Sequence, residues 1–132
     1  MGYTHFTVEK LQGLIDQYAP RSVMDFGAQN LYNQPILPAP YASTWYKKLA
    51  IAYDCIDTSG ENNSWNFDLS EPRQFKMEAD LVVDAGTSEH IGRNGKFHWE
   101  AIYNCWKAKH DLLNMEGVMY SENPKTGNWP GH

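Results

Sequence analysis

Apolar positions recur at Val8, Leu11, Leu14, Ile15 and Tyr18, the three-and-four spacing of a single helix face, with Thr7 as the expected N-cap and Pro20 as the stop. After this amphipathic helix the period changes. Ser22 to Phe26 is a short apolar run that reads as a strand ending in a turn at Gly27. The following LYNQPILPAPYAS carries Pro35, Pro38 and Pro40, which remove backbone donors and rule out a regular helix over most of the segment, so a loop is expected. A short helix is expected from Thr44 to Ala52 with Trp45 and Leu49 on one face, then a second strand from Tyr53 to Asp57. SGENNS is a turn, WNFDL from Trp65 a third strand, and ADLVVDAG from Ala79 the most apolar strand of all. GRNG reads as a hinge or loop. Beyond it Trp99, Ile102, Cys105, Trp106 and Leu113 mark a long helix with an aromatic-rich buried stripe, and the Trp99, Tyr103 and Trp106 side chains are expected in the core. Gly117 is expected to end that helix or its turn, and VMYSE to form a fifth strand closed by Asn123-Pro124.

Helices thus alternate with strands too apolar for a sheet wetted on one side. That order implies an α/β fold: a three-layer α/β/α sandwich with a mostly parallel sheet of about five strands. No repeat, low-complexity tract or linker divides the chain, and residues 1–132 read as one domain. In such sheets ligands sit beyond the carboxyl ends of the strands, at the point where the strand order reverses. The acids at four strand ends, Asp25, Asp57, Asp68 and Asp84, therefore become candidates for chemistry.

Charge narrows the ligand. The net charge is -5 and the eleven basic residues are scattered, which argues against a nucleic-acid partner held by phosphate contacts. Composition, with 42% hydrophobic and 20% charged residues, is that of a globular chain rather than a disordered one. No signal peptide and no long apolar run is present, so the expectation is a cytoplasmic protein with no membrane partner. Cys55 and Cys105 lack CxxC neighbours and read as packed, reduced thiols; Asn62-Asn63-Ser64 reads as a chance match to a glycosylation acceptor. His5, His98, His110 and His132 show no ligand spacing, so no metal site is expected. A carboxylate beyond a strand can accept two hydrogen bonds from a ribose diol, each worth about 1.5 to 3 kcal/mol. A nucleoside-containing ligand with little negative charge fits that pattern.

Five segments carry a family resemblance. VMDFGAQN resembles the first motif of class I S-adenosylmethionine-dependent methyltransferases, CIDTSGEN the second and WNFDLSEP the third. ADLVVDAGTSEHI is similar to that family's fourth-strand segment, and LLNMEGVMYSENP to its fifth. The resemblance runs from Ser22 to Pro124 and implies a Rossmann-like fold, S-adenosyl-L-methionine as cofactor with S-adenosyl-L-homocysteine as product, and a small-molecule or sugar-like methyl acceptor. It further implies that Asp25 and Gly27 lie near the methionine end of the cofactor, with Gln29 donating to its carboxylate. Asp57 would hold the ribose hydroxyls, Asp68 and Leu69 would meet the adenine, and Asp84, Ala85 and Gly86 would line the floor where cofactor and acceptor meet. A positively charged sulfonium suits such an acidic pocket. Glu89 and His90 are the catalytic candidates, His90 as a base near neutral pH. Asp84-Ala85-Gly86-Thr87 departs from the Asn/Asp-Pro-Pro-Tyr signature of methyltransferases that act on nucleic-acid bases.

Two departures matter. Gln29 and Leu31 stand where the family has further glycines, although Asn30 tolerates a left-handed turn better than most residues. The family's two antiparallel strands after the fifth, which form its C-terminal hairpin, have no counterpart before His132, so the domain is expected to be truncated and to self-associate through an exposed sheet edge. The alternative reading is a catalytically degenerate methyltransferase-like domain with a binding or structural role, in which Asp25, Asp57 and Asp68 simply cap helices or turns. A dinucleotide-binding oxidoreductase is disfavoured by the missing GxGxxG. Asp80, at the start of its strand, reads as structural, and Trp45 and Tyr46 as candidates for lining a small-molecule pocket.

Overall fold

A computed structural model describes residues 2–27, 30–31, 41–57, 65–72, 74–87 and 99–123. Nine elements succeed one another: β1 (Gly2–Tyr3), α1 (His5–Tyr18), β2 (Ser22–Phe26), β3 (Asn30–Leu31), α2 (Ala42–Lys48), β4 (Ala52–Ile56), β5 (Ala79–Ala85), α3 (Trp99–Asp111) and β6 (Leu113–Glu122), counted among the described residues. The main sheet has four parallel strands in the order β4-β2-β5-β6, and β1 pairs with β3 in a separate parallel pair. Its strand order reverses between β2 and β5. The chain has the Rossmann-like α/β arrangement that its alternating pattern implies.

Side-chain alternation divides the core into two layers. Val23 on β2 and Leu81, Val83 and Ala85 on β5 pack with Leu11 of α1 and with Ala42, Trp45 and Tyr46 of α2. Met24, Phe26 and Val82 face the other way, against Cys105 and Ala108 of α3 and the adjoining Leu112. A strand buried on both faces must be apolar throughout, and β5, with six of its seven residues buried, is the clearest case.

Several local expectations shift by a few residues for identifiable reasons. Helix α1 is capped by Thr4 rather than Thr7: the Thr7 amide donates to the Thr4 hydroxyl and the Thr4 amide to the Thr7 hydroxyl, both at 3.2 Å. Its end falls where Pro20 required, with Ala19 in the left-handed region at φ 46° and its N–H on the Ile15 carbonyl. The WNFDL segment contributes a single parallel bridge, Ile56 to Trp65, instead of a full strand. Asp68 ends the pairing by accepting from the Ser70 amide and hydroxyl at 2.9 and 2.7 Å, a side-chain turn that competes with the ladder.

The largest corrections concern α3 and the strand after it. Trp99, Tyr103 and Trp106 are not core residues: they are 68%, 57% and 41% exposed, while Ala101, Cys105 and Ala108 form the buried stripe. Small residues face the sheet here and the large rings face out. Gly117 does not close the helix, which ends at Asp111; it lies inside β6, where the register slips from Ala79↔Leu113 to Leu81↔Val118. Glu116 takes up the slip at φ 68°, and a Cβ on Gly117 would come within 2.8 Å of the Asn114 carbonyl. Trp45 and Tyr46 are core residues rather than pocket walls, 3% and 0% exposed. Asp80 is structural: it accepts from the Arg21 amide at 2.8 Å and from Asn114 Nδ2 at 2.6 Å, and the Arg21 amide chiefly holds its carboxyl below the usual range. No helix among the described residues is long and apolar enough to cross a membrane. The Pro35 to Pro40 loop, the SGENNS and GRNG turns, and Asn62-Asn63-Ser64 lie outside the described residues.

Candidate functional site

Both central strands end in the same way. Gly27 after β2 has φ 102° and donates its N–H to Ile56 at 2.7 Å; Gly86 after β5 has φ 85° and donates to Glu122 at 2.8 Å. Side chains other than glycine rarely adopt these backbone angles, so each glycine lets its strand turn while its amide stays tied to the outer neighbour. The Thr87 hydroxyl donates to the Phe26 carbonyl and joins the two turns across the reversal point. These two glycines stand at the reversal of strand order, where a sheet of this kind receives a ligand.

Asp25, one residue from the end of β2, is completely buried. The Tyr3 and Tyr53 hydroxyls both donate to its Oδ2 at 2.9 Å, and Tyr46 hydrogen-bonds to the Tyr3 hydroxyl at 3.0 Å. Parallel register explains Tyr53: it pairs with Val23 while Asp25 pairs with Cys55, which puts it on the Asp25 face and one diagonal away. The other oxygen, Oδ1, is buried with no hydrogen-bond partner among the described residues. Burial pushes this carboxyl up to about 8; the two tyrosine hydroxyls pull against that rise, and the nearby Asp84 adds to it. Burial also raises the Tyr3, Tyr46 and Tyr53 phenols well above their usual range, so all three keep their protons at physiological pH.

Asp84 meets a different environment. It is completely buried, like Asp25, but it shares its face with Val82 and α3, so the two carboxyls lie on opposite sides of the sheet. Lys109, also fully buried, places Nζ 2.5 Å from Asp84 Oδ2, 3.4 Å from the Ser121 hydroxyl and 3.5 Å from the centre of the Trp106 ring. Asp84 Oδ1 accepts from the Thr87 amide at 2.8 Å. A buried charge pair of this kind is tolerable only because each partner is matched.

The remaining sequence candidates separate. Asp57 lies just past β4, half-buried, with its N–H on the Trp65 carbonyl at 3.0 Å. Asp68 is exposed and occupied with Ser70, whereas Leu69 is buried in the second core layer. Ala85 is buried on the Asp25 side. Gln29, Glu89 and His90 lie outside the described residues. Sequence reasoning missed Tyr3, Tyr53 and Lys109. Lys109 was in principle visible, because it stands four residues after Cys105 on the stripe that Ala101, Cys105, Ala108 and Leu112 define. Cys55 and Cys105 are buried free thiols, pushed up to about 11 and about 12 by burial. No group of three or more metal-binding side chains forms among the described residues.

Comparison with protein-family models, curated proteins and solved structures gives no match to this chain.

Proposed function

We propose that this chain is a class I methyltransferase-like domain that binds S-adenosyl-L-methionine in the crevice between the Gly27 and Gly86 turns and transfers its methyl group to a small-molecule or sugar-like acceptor. The observation that carries this reading is the strand order. With the Trp65 bridge counted beside β4, the parallel sheet runs third, second, first, fourth, fifth, in the sequence order of the five motif-bearing segments. The first two motifs run off the carboxyl ends of β2 and β4, the third begins at the Trp65 bridge, and the fourth and fifth span β5 and β6. The first turn also suits a bound cofactor: Gly27, with no Cβ, allows close backbone approach.

In this reading Asp57 accepts from the ribose hydroxyls, Asp68 and Leu69 border the adenine, and Gly27 and Gln29 serve the methionine end. The bound cofactor supplies a methyl group for direct displacement by an acceptor oxygen, nitrogen or carbon. The chain's own contribution is to align the two reactants and exclude water, which asks little of individual side chains. Glu89 and His90 are the candidates for taking the acceptor's proton.

Calorimetric titration with S-adenosyl-L-homocysteine, with NADH as control, tests the reading. Micromolar binding that Asp57→Ala abolishes is the expected result; absence of binding up to millimolar ligand overturns it. A second reading, a methyltransferase-like domain retained for binding or structure, is favoured by one observation: Asp25 and Asp84 are fully buried and engaged by the chain's own Tyr3, Tyr53 and Lys109. Binding and turnover would exclude it.

A further inference from the structure

Away from the crevice turns, the exposed aromatic face of α3 borders a groove of about 620 Å³, within the range of small-molecule sites. Trp99 and Tyr103, one helical turn apart and both more than half exposed, form one wall. The opposite wall is the turn that carries Glu71 and Pro72. This turn is fixed in place: Asn104 Nδ2 donates to the Ser70 carbonyl at 2.9 Å, the Glu71 amide to Asp68 at 3.1 Å, and Leu69 anchors it in the core. Glu100 adds a second carboxylate to the lining, and among the described residues no lysine, arginine or histidine lines the groove. Neither Glu71 nor Glu100 has a side-chain ion pair or hydrogen bond among the described residues.

We propose that this groove binds a small organic cation, an alkylated ammonium, between the Trp99 and Tyr103 rings with Glu71 and Glu100 at its rim. Aromatic side chains attract a cation whose alkyl groups also cover apolar surface, and carboxylates favour the same charge. The same chain already uses the chemistry internally, where the Lys109 ammonium sits over Trp106. A purely apolar ligand would leave both carboxylates unused. An anionic one would meet them without a compensating charge among the described residues. This inference does not rest on the cofactor reading and goes beyond it.

The test compares choline with its uncharged isostere 3,3-dimethylbutan-1-ol. Binding is read from the indole N–H resonance of Trp99, assigned by its loss in Trp99→Phe. Choline is expected to shift that resonance saturably at millimolar concentration, and the isostere to bind at least ~10-fold more weakly. Glu71→Gln with Glu100→Gln should weaken choline ~5-fold or more. All three substituted side chains lie at the surface, so an unchanged melting temperature is expected to accompany the loss. Equal affinity for the isostere, or no saturable shift up to about 100 mM choline, overturns the proposal. Neither outcome depends on whether S-adenosyl-L-homocysteine binds.

Discussion

Asp25 makes the sharpest prediction. Burial raises its carboxyl from 3.8 to about 8 in the folded chain, whereas the unfolded chain leaves it at its ordinary value. Between those two values the folded state holds a proton that the unfolded state has lost, so stability must fall as pH rises. The contribution is complete below about pH 4 and gone above about pH 8. At about 1.4 kcal/mol per pH unit, the loss between pH 5 and pH 8 comes to about 4 kcal/mol. For a domain whose whole stability is about 5 to 15 kcal/mol, that is a large fraction.

Asp25→Asn provides the comparison, because an amide keeps the shape and an oxygen acceptor for Tyr3 and Tyr53 but cannot ionise. Urea unfolding, followed by tryptophan fluorescence at pH 5, 6, 7 and 8, should show the wild-type midpoint falling by about 2 M with the slope unchanged. The variant's midpoint should stay nearly level, leaving it more stable than wild type at pH 8. The range stops there because the buried Cys55 and Cys105 thiols, raised to about 11 and about 12, add their own loss at higher pH. Parallel pH profiles for the two proteins would refute the reasoning and show that Asp25 is ionised in the fold.

Three further substitutions test neighbouring parts of the structure by the same unfolding assay. Tyr53→Phe removes one of two donors to Asp25 Oδ2 and should cost about 1 kcal/mol more at pH 8 than at pH 5, since a hydrogen bond to a carboxylate is the stronger one. Lys109→Met strands Asp84 as an unmatched buried charge and should cost about 3 to 5 kcal/mol, most of it recovered in the double variant with Asp84→Asn. Gly117→Ala pushes a methyl to 2.8 Å from the Asn114 carbonyl inside the β6 slip and should cost about 1 to 3 kcal/mol.

How much of the fold was legible in the sequence depended on how local the cause was. Strand β5 is apolar at nearly every position because both its faces are buried, and a reader needs no other segment to see it. Helix α1 is equally local; only its first turn differs from the pattern, since both Thr4 and Thr7 take part in the cap. On α3 ring size is no sign of burial: the sheet accepts Ala101, Cys105 and Ala108 and leaves Trp99 outside. The Asp25 cluster was not legible at all. Tyr3 and Tyr53 lie 22 and 28 residues away from Asp25, and they meet it only once β1 and β4 are placed. Spacing along one segment carries no trace of such a contact.

The burial of Asp25 and Asp84 changes what a cofactor would demand of this chain. Both acids stand beside the glycine turns in sequence, yet their side chains enter opposite core layers and cannot reach one ligand atom together. At the crevice itself the chain offers backbone at Gly27 and Gly86, with Asp57 half-buried after β4. Loss of Asp57 should therefore appear in ligand affinity. Loss of the ionisable Asp25 carboxyl should appear first in the pH profile of unfolding. The reverse pattern, with Asp25→Asn abolishing S-adenosyl-L-homocysteine binding at unchanged stability and Asp57→Ala binding normally, would move ligand recognition from the end of β4 into the tyrosine cluster, with Oδ1 as its contact.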